Sequence, residues 1–248
     1  MNILLTNDDG IASEGLRALA AELGRSHRVL VVAPDSERSA CGHSITIMKP
    51  LSLERVRLEG AEEAYAFGGT PVDCVKFATV EKKHFVPDFV ISGINRGSNL
   101  GTDTIYSGTV SAAREATTLN IPALAVSDVA RKDNDFVADA VWLAENLHRF
   151  RPLSYDGVFY NVNFPACPAS ERKGMMPCRT GVNLYDEMFE LRDGHYYLSG
   201  DPIPHENAEK CDTDYIREGY ITVSPLVCDF TSERALEILL RRHREGRI

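Results

Sequence analysis

Positive charge is scarce in this sequence. Its 248 residues hold 27 Lys and Arg against 36 Asp and Glu, a formal net charge of −9. The broad basic footprint that grips a nucleic-acid backbone is therefore missing. Long apolar runs are missing as well: no stretch reaches the roughly 20 residues that span a bilayer, and Asp8 cuts the opening Asn2-Ile3-Leu4-Leu5 short of a secretory apolar region. The six cysteines (Cys41, Cys74, Cys167, Cys178, Cys211 and Cys228) form no C-x-x-C pair. That argues against a thiolate zinc centre and, without an export signal, favours reduced thiols in a cytosolic protein. The histidines, His84 among them, make no metal-type spacing. Repeats and low-complexity tracts are absent. No G-x-G-x-x-G opens the first helical pattern, and "FGGTPVD" at 67–73 is not that fingerprint, so a dinucleotide-dependent dehydrogenase is disfavoured.

What is present reads as an α/β protein. Residues 2–6 form an apolar run, 13–23 carry Leu16, Leu19, Ala20 and Leu23 on one helical face, and "RVLVVAP" at 28–34 is a second apolar run. Strand, helix and strand within about thirty residues make a βαβ unit and a parallel sheet, and runs apolar throughout suit strands covered on both faces. Alternating stretches near 43–48, 51–57 and 62–67 predict short antiparallel strands inserted as an excursion. A helix is expected over 70–83, with Thr70 as cap and Pro71 in its first turn. A strand over 87–93, a helix over 108–120, a strand over 122–127 and a helix over 135–150 follow. Beyond Pro152 come a strand at 157–165, a hairpin turning at Asp193-Gly194, a strand at 219–226 and a terminal helix at 231–244. The expected organisation is a doubly wound, mainly parallel core over 1–150 and a mixed, hairpin-bearing region over 151–248. That hairpin, near 182–199, is the expected interfacial element, because an isolated hairpin is marginal alone.

Open α/β sheets bind ligands at the carboxyl ends of their strands. Three loops there are rich in polar residues: Asp8-Asp9 after the first strand, "DSERSACGHS" after the second, and "GINRGSNLGTDTIYSGT" after the strand at 87–93. Asp8, Asp9, Ser39 and Asn95 offer only oxygen, the donor preferred by hard cations such as Mg²⁺, Mn²⁺ or Ca²⁺. Adjacent carboxylates in a crevice repel, and a divalent cation relieves that repulsion. Ser107, Gly108 and Thr109 stand at a helix start, where free amides and the helix dipole suit an anion. Each stretch alone also reads as a turn or a cap, with Asp9 or Ser13 capping the first helix. Their shared position after core strands points to one site.

At these residues the sequence resembles the SurE family of metal-dependent nucleotidases. The resemblance is carried in order by "ILLTNDDG", "VVAPDSERSACGHSIT", "GGTPVDCV", "VISGINRGSNLGTDTIYSGTVSAARE" and "TDYIREGYITVSPL". It implies a Rossmann-like core and hydrolysis of nucleoside 5′- and 3′-monophosphates to nucleoside and phosphate. It also implies one Mg²⁺ or Mn²⁺ per subunit on Asp8, Asp9, Ser39 and Asn95. Phosphate contacts fall on Asn99, Ser107, Gly108 and Thr109, with Asp8 or Asp9 as the catalytic carboxylate. A homodimer or homotetramer with an exchanged C-terminal arm is expected. Ser98 departs from the Pro of many members and Ala116 from their Gly. Activity on short polyphosphate or a broader phosphatase activity is the alternative within this chemistry. A nucleotide-binding module without turnover is the alternative outside it.

Overall fold

The computed structural model describes residues 1–82, 85–130, 132–150 and 157–247. Lys83 and His84 lie outside the described residues, as does the junction after Phe150 where the two expected regions meet. The strands β1 (Asn2–Thr6), β2 (Arg28–Pro34), β3 (Leu53–Val56), β4 (Glu63–Phe67), β5 (Phe89–Arg96), β6 (Ala123–Asp128), β7 (Val158–Phe164), β8 (Met175–Pro177) and β11 (Ile221–Val227) form one nine-stranded sheet. Its order is β3-β4-β2-β1-β5-β6-β7-β11-β8. From β4 through β7 every neighbour is parallel; β3 and β11 run antiparallel to β4 and β7. The sheet thus continues past residue 150 through β7, β11 and β8.

The helices cover both faces. α1 (Glu14–Leu23) and α4 (Phe136–Phe150) bury Leu16, Leu19, Leu23, Leu143 and Leu147 against one face. α2 (Pro71–Val80) and α3 (Gly108–Thr118) press Cys74, Val75, Ala112, Ala113 and Ala116 on the other. The small residues of α3 let its backbone approach the sheet closely. Two covered faces explain why β1, β2 and β5 are apolar on both sides.

Two expectations fail in detail, and one element was not expected. No strand forms at 43–48: the segment is a loop, with Ile45 and Ile47 facing outward. The excursion is not wholly antiparallel either, since β4 joins the main sheet parallel to β2. Near the C-terminus the short helix α5 (Asp212–Arg217) had no counterpart in the sequence pattern. The hairpin is β9 (Leu184–Arg192) and β10 (His195–Ile203), paired only with each other, and the terminal helix is α6 (Glu233–Arg244).

Candidate active site

β1 and β5 are parallel neighbours, but the direction in which strands are added reverses between them: β2 and β4 build outward on one side, β6 and β7 on the other. Such a switch point opens a crevice at the strand carboxyl ends. Asp8 and Asp9 leave β1 on one side of it, and Asn95 ends β5 on the other. A β-bulge between Ser92 and Asn95 slips the β5 register against β6 just before the crevice.

Asn7 sets the turn after β1. Its Nδ2 donates to Gly10 O at 3.0 Å and to Ser13 Oγ at 2.6 Å, and its Oδ1 accepts from Gly10 N. Gly10 sits at φ +96, where side chains are disfavoured. The cap of α1 is Ser13, whose Oγ accepts from Leu16 N. Neither Asp8 nor Asp9 is therefore the cap of α1.

Asp8 is 5% exposed and lies against the start of α3. Thr109 donates to it twice, from Oγ1 to Oδ1 at 2.5 Å and from the backbone N to Oδ2 at 3.1 Å. Gly108 permits this approach: a Cβ there would stand 2.8 Å from Asp8 Cβ and 2.9 Å from its Oδ2. Burial pushes the Asp8 carboxyl above its usual value while the Thr109 hydrogen bonds pull it down. Asp9 accepts from Arg96 N at 3.0 Å. Burial first, and then the charge of Asp8, lift Asp9 to about 6 against the Arg96 hydrogen bond. Two carboxylates that resist ionisation side by side invite a cation.

A crevice of about 570 Å³ gathers Asp8, Ser39, Asn95, Asn99 and Ser107. Asn95 spends its Nδ2 on Gly97 O at 2.9 Å, which leaves Oδ1 for a ligand. Ser39 is exposed and donates to Glu37. Gly108 and Thr109 stand behind the wall, holding Asp8. Ser107 caps α3 by accepting from Val110 N at 3.0 Å, so its O–H stays available as a donor. Among the described residues no three His, Cys, Asp or Glu gather as a metal cluster. The donor set is instead two carboxylates with hydroxyl and amide oxygens, which fits Mg²⁺ or Mn²⁺ and not zinc.

Sequence reasoning missed the braces. Asn99 N donates to Asn163 Oδ1 at 3.0 Å, and Asn99 O accepts from Asn161 Nδ2 at 2.7 Å and Asn163 Nδ2 at 3.1 Å. Asn99 Nδ2 meets Ser127 Oγ at 2.8 Å. "NVN" in an apolar strand was the available signal: alternate polar residues, fully buried, at the site end of β7. The Ser39 loop is braced by Glu115, whose Oε2 lies 2.9 Å from His43 Nε2 and Oε1 2.5 Å from Lys76 Nζ. Gly42 N also donates to Tyr106 O, and Thr46 N to the Asp73 carboxylate. All six cysteines are free thiols. Cys41, near Gly108, is raised by burial and then by the Asp8 charge, as befits a bystander.

The family model described as survival protein SurE matches residues 3–187. A protein of Pseudothermotoga lettingae named 5′-nucleotidase SurE is 40% identical over 242 residues, covering 95% of this chain and 92% of its own. One of Synechococcus elongatus with the same name is 41% identical over 253 residues, covering 96% and 98%. The crystal structure of the SurE protein from Aquifex aeolicus superposes with a TM-score of 0.84 at 33% identity, over 98% of this chain and 99% of that one. A family model spanning most of the sequence, full-length relatives and a shared fold agree: the chain belongs to the SurE family.

Proposed function

We propose that the protein is a divalent-cation-dependent phosphomonoesterase that hydrolyses nucleoside 5′- and 3′-monophosphates. The supporting observation is the meeting of Asp8, Ser39, Asn95, Asn99 and Ser107 in one crevice at the switch point, in a chain 40% and 41% identical over 95% and 96% of its length to proteins named 5′-nucleotidase SurE. Asp8, Asp9, Ser39 and Asn95 would hold one Mg²⁺ or Mn²⁺. Bound there, the ion supplies electrophilic charge at the phosphoryl group and makes water more acidic.

The chain's own groups do the rest. Ser107 O–H donates to a phosphoryl oxygen. Asn99 offers its carboxamide; Ser127 can donate as well as accept, so the amide turns its NH₂ to an anion without losing that partner. Asp8 accepts the proton of the attacking water at a carboxylate oxygen, because it lines the crevice and Asp9 does not. A carboxyl raised by burial is a better proton acceptor than an exposed one. Thr109, donating twice to Asp8, fixes its plane.

Phosphate release from a panel of nucleoside monophosphates, with EDTA and after Mg²⁺ or Mn²⁺ is restored, tests this reading. Turnover that is lost with the chelator and regained with the ion supports it. Equal rates in EDTA refute it. Asp9→Asn is expected to lower metal-dependent kcat at least ~100-fold with the circular dichroism spectrum unchanged. Polyphosphate and p-nitrophenyl phosphate in the same assay rank the broader phosphatase reading, and binding without release marks the non-catalytic one. The β9-β10 hairpin and α6 bury few or none of their side chains, which supports a homo-oligomer.

A further inference from the structure

The crevice is longer than a phosphate needs. Beyond Ser107 its wall continues through Tyr106, Asp103 and Tyr185. A smaller cavity of about 180 Å³ adjoins it, sharing Ser98, Asp103 and Tyr185, with Leu184 and Ile203 of the hairpin among its apolar walls. A molecule whose phosphoryl group sits at Asn99 and Ser107 has room to extend past Asp103 toward that cavity.

Asp103 is an unexpected residue in a wall meant for an anion. Its charge repels phosphate, so it serves some other part of the ligand. Tyr185 Oη donates to Asp103 Oδ2 at 2.7 Å and Asn183 Nδ2 to the same oxygen at 2.8 Å. Both donors converge on one oxygen and orient the carboxylate; Oδ1 has no hydrogen-bond partner among the described residues. An oriented carboxylate with a vacant acceptor suits hydroxyl donors, and a sugar diol supplies two. On either hand stands a tyrosine. Tyr106 is 65% exposed and Tyr185 39%, although a buried ring would be the stable place for each. The Tyr106 backbone is fixed at both ends, its N donating to Asp103 O and its O accepting from Gly42 N. An exposed aromatic ring in a crevice wall suits a planar base.

We infer that Asp103, Tyr106 and Tyr185 form the nucleoside subsite, with ribose hydroxyls donating to Asp103 Oδ1 and the base lying on the tyrosine rings toward the adjoining cavity. The inference rests on the phosphomonoesterase reading above and names the half of the substrate that distinguishes a nucleotide from other phosphate esters.

The test is steady-state kinetics with Mn²⁺ present on four substrates: AMP, 2′-deoxy-AMP, ribose 5-phosphate and p-nitrophenyl phosphate. Asp103→Asn is expected to raise KM for AMP about 10- to 100-fold, as expected for one lost charged hydrogen bond. Its effect on p-nitrophenyl phosphate is expected to be at least ten-fold smaller, and on 2′-deoxy-AMP intermediate. Tyr106→Ala is expected to weaken both nucleotides and to spare ribose 5-phosphate by comparison. Inhibition of p-nitrophenyl phosphate hydrolysis by adenosine gives a readout free of nucleotide turnover, and Asp103→Asn should raise its inhibition constant in the same proportion. Should Asp103→Asn unfold, Tyr185→Phe, which removes one orienting donor and keeps the ring, carries the same expectation at smaller size. A uniform loss on all four substrates would make Asp103 a mere brace for the hairpin and overturn the inference, as would no change on any. A wild-type protein inactive on every phosphate ester would instead refute the phosphomonoesterase reading itself.

Discussion

Gly108 shows how much one hydrogen atom decides. A methyl group there would collide with Asp8 at 2.8 Å, and neither element can retreat, since β1 is an inner strand of the sheet and α3 packs on it. Gly108→Ala is expected to cost about 1–3 kcal/mol of stability and, by displacing the carboxylate, to lower kcat/KM at least ~100-fold; thermal melts and phosphate-release kinetics read the two effects. Glu115 allows a test by pH. The hydrogen bond from His43, and then Lys76, hold its carboxyl below the usual 4.5. The unfolded chain thus takes up the proton first as pH falls. The stabilisation is whole above 4.5 and is lost as pH drops through the folded value. Glu115→Gln is expected to cost about 1–2 kcal/mol at pH 7, with the gap to wild type closing in acid; urea unfolding across pH checks it. Asp8, Asp9 and Asn95 could be read from sequence because each sits at the end of an apolar run. The brace of Glu115 could not: His43 lies 72 positions away, and Asn163 lies 64 from Asn99. Only the folded sheet brings such residues together.

At the level of elements, the alternation at 43–48 misled for a physical reason. Period two marks a strand only when one face has something to bury, and here Ile45 and Ile47 point outward while the backbone hydrogen-bonds to Asp73 and to Thr70. α5 escaped notice because six residues carry too little periodicity. The long amphipathic patterns of α1 and α4 were legible because each holds several turns of core-facing leucine or phenylalanine. α6 is amphipathic as well, yet Leu236, Leu239 and Leu240 stay 39–51% exposed. Apolar faces of this kind call for a partner surface. Leu239→Asp is expected to shift the protein from oligomer to monomer in sedimentation velocity, while wild type sediments as an oligomer. A wild-type monomer would remove the case for assembly through this helix.

For the molecule as a whole, the doubly wound architecture and the place of the crevice followed from the order of apolar runs; the extension of the sheet through β7, β11 and β8 did not, because antiparallel β11 returns from distant sequence. That outer half is tied to α4 by Arg172, whose Nη1 stands 2.6 Å from Oδ1 of the fully buried Asp139. Burial raises Asp139 to about 8 even against the pull of Arg172. The folded protein then binds that proton more tightly than the unfolded chain, so stability declines as pH rises from 3.8 toward 8. Arg172→Met removes the opposing cation, and its destabilisation is expected to be larger at pH 9, about 3 kcal/mol or more, than at pH 6. Equal losses at both values would place the charge elsewhere.

The three-point grip on Asn99 has a further result. Its amide proton is held by the Asn163 side chain of β7 at 3.0 Å, so it is expected to trade for deuterium only when this loop leaves that strand. On warming, Asn99 is expected to hold its place as long as β7 does, so that loss of phosphate release and melting trace a single curve.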